Sequence, residues 1–286
     1  MTRRGLRRTL LVVANLVGLA AVLSLGAWDV LQVYTGVALP ERAGAPMELV
    51  AHRGDLERFP ENTREAIVAA SELPVDGIEF DTIMSADGTW WVIHDPSLAR
   101  TTDTDGWLPD LSDADVERAR IDGGIGFDAV AHDGLAIPRL SDVLDALAGY
   151  DGRLYVDVQH APTGDVADVV ALLAGRDAAI LCRDLSDSRR VKEMDRGITT
   201  FLRVEDGPAD DSVDGWLMES FFEADAGAVQ GAALPVITFM DQWRAGDDET
   251  AVLRRAWAIG VSAFLTKQPS VAIAARDQLI EEPARR

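Results

Sequence analysis

Two stretches decide the fold: Leu49-Val-Ala-His-Arg-Gly54 and Gly77-Ile-Glu-Phe-Asp-Thr82. Both are short apolar runs with ionisable side chains at or near their ends. In extended backbone, successive side chains alternate between faces, so Glu79 and Asp81 share one face while Ile78 and Phe80 occupy the other. Six further apolar runs recur downstream, at Leu154–Gln159, Ala178–Cys182, Thr199–Val204, Trp216–Glu219, Pro235–Met240 and Ser262–Thr266. Between most of the eight lie stretches with amphipathic helical spacing: Glu61–Ser71, Leu140–Leu147, Val166–Leu173, Asp187–Met194 and Glu249–Ile259. Strand and helix units in alternation predict a parallel sheet covered by helices. Eight of them in about 240 residues match a (β/α)8 TIM barrel, with a doubly wound open sheet as the rival. In a barrel, the face bearing Glu79 and Asp81 is the lumen.

One interruption stands out. Asp87-Gly88 separates Ile83 from the run Trp90–Ile93, a hairpin signal that adds a short strand after the second one. Residues 97–138 then lose the alternation and are rich in Asp, Gly and Pro, which predicts an inserted cap or loop region.

The chain has 286 residues with 27 Lys+Arg against 48 Asp+Glu, a net charge of −21, and 48% hydrophobic residues. A core is within reach, while the negative field argues against nucleic acid as a partner. The single cysteine, Cys182, excludes an internal disulfide framework and a cysteine-based zinc site. At the N-terminus, Arg3, Arg4, Arg7 and Arg8 precede an apolar run from Leu10 to Trp28. As a helix this run would reach about 28 Å, close to the roughly 30 Å hydrocarbon core of a bilayer. Residues 1–30 therefore read as one transmembrane anchor, with a cleaved signal segment as the alternative, and the positive flank places the remainder outside the cytoplasm. Residues 31–47 read as a linker, and 48–286 as the barrel.

The chemistry gathers at strand ends. Glu79 and Asp81 project to one face of the second strand, and Tyr155, Asp157 and Gln159 to one face of the third. Three carboxylates aimed at one interior call for a neutralising cation. An all-oxygen set suits Mg2+ or Ca2+. His52 and His94 end neighbouring strands and form a candidate acid–base pair, since imidazole exchanges protons near neutral pH. Arg53 stands beside His52 and Asp95 beside His94.

Taken in order, His52-Arg-Gly54, Pro60-Glu-Asn-Thr63, Glu79-x-Asp81 and His94-Asp95 resemble the signature of glycerophosphodiester phosphodiesterases, a likeness that extends over residues 48–270. The stretch Leu98–Gly106, with Arg100-Thr101-Thr102, is similar to the start of that family's insertion. The resemblance implies a TIM barrel, a divalent cation held by Glu79, Asp81 and Asp157, and a phosphate contacted by Arg53. It also implies general acid–base catalysis, with His52 placed as the acid and His94 as the base. The products would be glycerol-3-phosphate and an alcohol. Glu61, Asn62 and Asp95 are supporting residues, although Glu61 and Asn62 also suit the start of the first helix.

Two positions depart from the family pattern. Where its members read Ile-Glu-Ile-Lys in the third strand, this chain has Val156-Asp-Val-Gln159, so a neutral amide stands in place of a cationic phosphate contact. Thr266-Lys-Gln-Pro269 puts Lys267 where an acidic residue is usual, a placement that returns positive charge. The seventh strand, Ile237–Met240, also lacks a tryptophan many members carry. Three alternatives stay open: a lysophospholipase D acting on lysophospholipids, which the membrane anchor favours; a phosphodiester-binding relative without catalysis, which Gln159 and the altered eighth strand favour; and a docking module, supported by the anchor and the acidic surface. His132, His160, Cys182 and most of the seven tryptophans read as structural, with Trp90 or Trp107 as candidates for an apolar entrance.

Overall fold

The computed structural model describes residues 47–127, 132, 134–160, 166–203, 210–218, 234–239 and 249–281. The expected anchor and residues 31–46 lie outside them, and among the described residues no helix is long and apolar enough to cross a membrane. Eight parallel strands are observed: β1 (Glu48–His52), β2 (Gly77–Met84), β4 (Arg153–His160), β5 (Ala178–Cys182), β6 (Thr199–Arg203), β7 (Gly215–Met218), β8 (Val236–Phe239) and β9 (Ala263–Thr266). β1 pairs with both β9 and β2, which closes the sheet and excludes the open doubly wound alternative. The short β3 (Trp90–Val92) runs antiparallel along β2, as the Asp87-Gly88 turn requires. Met47, expected in the linker, is buried and packs with the barrel's outer layer.

Among the described residues the helices are α1 (Arg64–Ser71), α2 (Asp113–Val116), α3 (Leu140–Ala146), α4 (Ala167–Leu172), α5 (Leu185–Met194), α6 (Glu249–Ile259) and α7 (Pro269–Glu281). Caps decide two of their starts. The Thr63 hydroxyl accepts the Ala66 amide at 3.1 Å, so α1 opens three residues later than its polar spacing suggests. Asp184 accepts from Ser186 and Asp187, so α5 begins before Asp187. Glu61 and Asn62 are thus not the cap of α1, and their side chains turn toward the barrel mouth.

Strand alternation divides the apolar residues. Val50, Tyr155, Ala179, Phe201, Leu217, Ile237, Ala263 and Leu265 fill the lumen floor, whereas Ile78, Phe80, Val156, Ile180 and Leu202 face the helices. Trp90 belongs to that outer layer and is buried, which removes it as an entrance residue, while Trp107 is exposed on the insertion. The described residues of 97–138 are more ordered than the composition of this stretch suggests. Two 3-10 turns and α2 enclose Leu98, Leu108, Val116 and Ile121, which pack with Ile83, Trp91 and Ile93 in a small core above the barrel rim. A network on Asp113, joined by Ser85, Thr89 and Arg139, ties this insertion to the hairpin.

The turn after β1 has a demanding glycine. Gly54 has φ +93°, and a Cβ there would lie 2.6 Å from the carbonyl carbon of Ala66 in α1. Gly88, in the hairpin turn, has φ +85° but nothing within 4 Å. Gly54→Ala combines left-handed strain with a backbone clash and is expected to cost about 3 kcal/mol, against about 1 kcal/mol for Gly88→Ala, where only the strain applies. Urea unfolding of the two variants measures the difference; equal losses would show that the Ala66 contact yields without cost.

Candidate active site

The site is assembled at the C-terminal ends of β1, β2 and β4, where register sets side chains level with one another. His52 pairs with Glu79, and Asp81 with Asp157. The alternation that gives the lumen its apolar floor thus puts three carboxylates on one rim. Oxygens of Glu79, Asp81 and Asp157 lie within 4.8 Å of one another, and all three residues are buried. Burial, then the neighbouring charge of Asp81, pushes the Glu79 carboxyl well above its ordinary pKa. This donor set, all oxygen and short of positive charge, fits a hard divalent cation.

Protein donors hold the trio in place. The Asn62 amide donates to Asp81 Oδ2 at 2.7 Å, and its carbonyl accepts the Asp81 main-chain N–H at 3.2 Å. Gln159 Nε2 donates to Asp81 at 3.0 Å and to Asp157 at 2.8 Å, so both amide hydrogens serve carboxylates. Arg203, at the end of β6, reaches Asp157 with Nη2 at 3.1 Å. Nothing in its local sequence marked it. The signal was strand parity, which carries position 203 to the same face as Phe201 in the lumen floor.

Among the described residues, Arg53 and Asn62 are the non-glycine residues with positive φ, at 62° and 58°. Such backbone is held only where the surroundings fix it. Here the Asn62 N–H donates to the Arg53 carbonyl at 3.0 Å, and the Arg53 N–H meets both the main-chain and side-chain oxygens of Glu79. Its guanidinium pairs with Glu61 at 2.5 Å and with Asp81 at 3.1 Å. Burial opposes that charge, but Asp81, Glu61 and Glu79 more than offset it and hold the guanidinium protonated.

Glu61 joins the barrel to the insertion. It accepts from Arg53, Arg100 and the Ile125 N–H. Burial alone would raise its pKa, yet these donors, Arg100 first, bring it down to about 2. Arg100 continues to Asp95 at 2.5 Å, and Asp95 meets His94 Nδ1 at 2.5 Å. Asp95, which partial burial would raise, is likewise drawn down to about 2 by Arg100 and then His94. His94, Asp95, Arg100, Glu61, Arg53 and Asp81 thus form one continuous chain of charge-assisted contacts.

His52 contrasts with His94. Its ring is buried against Phe239, with centroids 5.1 Å apart, and Nδ1 is unpartnered among the described residues. Burial first, then the charges of Arg53, Lys267 and His94, lowers its pKa well below the ordinary value. The 3.6 Å approach of Nε2 to Glu79 is therefore the contact of a neutral ring rather than an ion pair. His94 is partly exposed. Both histidines line one cleft of about 470 Å³, together with Arg53, the three carboxylates, Gln159 and Lys267. Of the residues singled out from sequence, Glu61 and Asn62 stand behind this cleft as supports. His132 packs near Phe59, and the His160 side chain lies outside the described residues.

The chain is similar to known proteins in sequence and in fold. Residues 52–201 match the model of the glycerophosphoryl diester phosphodiesterase family. A glycerophosphodiester phosphodiesterase from Caldanaerobacter subterraneus is 35% identical over 111 residues, 39% of this chain and 44% of that protein. The chain thus aligns with less than half the length of this curated relative. Among solved structures, a glycerophosphoryl diester phosphodiesterase from Silicibacter pomeroyi superposes with a TM-score of 0.69 at 20% identity, covering 82% of this chain and 94% of the other. A phosphodiesterase from Oleispira antarctica, solved with the product sn-glycerol-3-phosphate, superposes with a TM-score of 0.68 at 20% identity, covering 80% of this chain and 96% of that one. At such identity these two structures speak for the barrel, and the family match carries the assignment: the chain belongs to the glycerophosphoryl diester phosphodiesterase family.

Proposed function

We propose that this protein hydrolyses glycerophosphodiesters to glycerol-3-phosphate and an alcohol, with His52 and His94 as general acid and base. The observation that carries this reading is one cleft lined by two imidazoles, a guanidinium and a buried carboxylate trio. Glu79, Asp81 and Asp157 would hold Mg2+ or Ca2+, which when bound supplies positive charge to the oxygens of a phosphate. Arg53 and Lys267 add fixed positive charge on the same cleft. Gln159 serves here by orienting Asp81 and Asp157.

The histidines divide the proton work. Asp95 takes the Nδ1–H of His94, which leaves Nε2 as the acceptor for the proton of the attacking hydroxyl. Arg100 fixes Asp95, so the ring keeps that tautomer and orientation. His52 is neutral while the cleft is empty of anion. A bound phosphodiester would oppose the part of the His52 pKa lowering that comes, after burial, from Arg53, Lys267 and His94, and His52 would take a proton from solvent and deliver it to the leaving alkoxide. Protonation of that oxygen avoids expelling a strongly basic alkoxide.

The N-terminal apolar run belongs to the same proposal: a single-pass anchor, or a cleaved signal, that places the barrel outside the cytoplasm. Lysophospholipids at a membrane surface are then the second substrate class.

Release of glycerol-3-phosphate from glycerophosphocholine by the full chain tests the reaction. Activity is expected to disappear in EDTA and return with Mg2+ or Ca2+. Undiminished turnover in EDTA would remove the ion from the mechanism. Faster turnover of lysophosphatidylcholine than of glycerophosphocholine would favour the lipid substrate. His52→Ala and His94→Ala are each expected to lower kcat by about 100-fold or more; wild-type rates in both would end the acid–base assignment.

A further inference from the structure

We infer that Arg203 is a substrate-binding residue, contacting the anionic phosphate from the wall of the barrel opposite β1. The inference rests on the hydrolytic reading above and names a contact that the sequence motifs do not contain. β6 ends at Arg203, on the face that carries Phe201 into the lumen floor, and the guanidinium borders the cleft. From β5 to β8 that wall is formed by Leu181, Arg203, Leu217 and Phe239, so among the described lining residues Arg203 is its cation. Leucine neighbours lower the local dielectric and strengthen its attraction for an anion.

The arginines of the cleft, Arg203 included, each pair with a carboxylate. Arg53 is turned onto Glu61 and Asp81, and Arg100 onto Glu61 and Asp95. Both amide hydrogens of Gln159 point to carboxylates. Arg203 touches Asp157 at 3.1 Å, and this contact fixes the guanidinium beside the carboxylate trio, where a phosphate bridging the two walls would sit. A planar guanidinium can hold one carboxylate oxygen and a phosphate oxygen at once, which a lysine ammonium does with less directional fit.

Isothermal titration of the full chain with sn-glycerol-3-phosphate in saturating Mg2+, alongside kinetics on glycerophosphocholine, tests this. Arg203→Gln and Arg203→Ala are expected to weaken product binding about tenfold or more and to raise KM by a similar factor, with kcat within about threefold of wild type. Arg203→Lys should recover part of the loss, and Ca2+ affinity measured without phosphate should change by less than about threefold. Unchanged product affinity in Arg203→Gln would overturn the inference. So would a matching fall in Ca2+ affinity without recovery in Arg203→Lys, since Arg203 would then act only by positioning Asp157. A wild-type chain that binds no product also overturns it. Product binding without turnover defeats the hydrolytic reading alone and leaves the Arg203 comparison to be decided by titration.

Discussion

The structure depends on an electrostatic constraint: three carboxylates, Glu79, Asp81 and Asp157, are buried together at the rim of the barrel. Their mutual repulsion and lost hydration oppose folding by roughly several kcal/mol per uncompensated group. Asn62, Gln159, Arg53 and Arg203 each contribute a donor or a charge to this cluster. Burial, and then the charge of Asp81, still push the Glu79 carboxyl above its ordinary pKa. Stability and chemistry are coupled there, because the same deficit that makes the rim costly makes it a site for a hard cation.

That rim dictates the surrounding architecture. Arg53 and Asn62 both adopt left-handed backbone, and each is held by hydrogen bonds that also orient a carboxylate. Gly54 follows because the chain must pass against the backbone of α1 immediately after β1. Glu61 binds Arg53 on one side and Arg100 and Ile125 of the insertion on the other. The insertion is thereby part of the site's scaffold, and its small core around Leu98 and Leu108 fixes the position of Arg100. Arg100 in turn holds Asp95, which meets His94.

Much of this was legible in the residues. The eight apolar runs coincide with the eight barrel strands to within a residue or two, because each is bounded by turn residues and carries a clear inward face. The same alternation placed Glu79, Asp81, Asp157 and Gln159 in the lumen correctly. Local patterns misled where a hydrogen bond outside the pattern decided the outcome. Glu61 and Asn62 have the composition of a helix start, yet Thr63 caps α1 and frees them for the site. Trp90 was a candidate for the entrance, but its strand parity directs it beneath the helices.

Strand periodicity, turn chemistry and the order of the motifs are properties of neighbouring residues, and the sequence by itself determined them: alternating strands and helices, acids sharing one face of their strands, histidines at two strand ends. Barrel closure and inter-strand register decided the rest. They brought Arg203 from β6 to Asp157 on β4, and Arg100 from the insertion to Glu61, pairs 46 and 39 residues apart. Coulombic and hydrogen-bonding contacts act through space over a few ångströms, so which charges meet is known only once the chain has closed on itself.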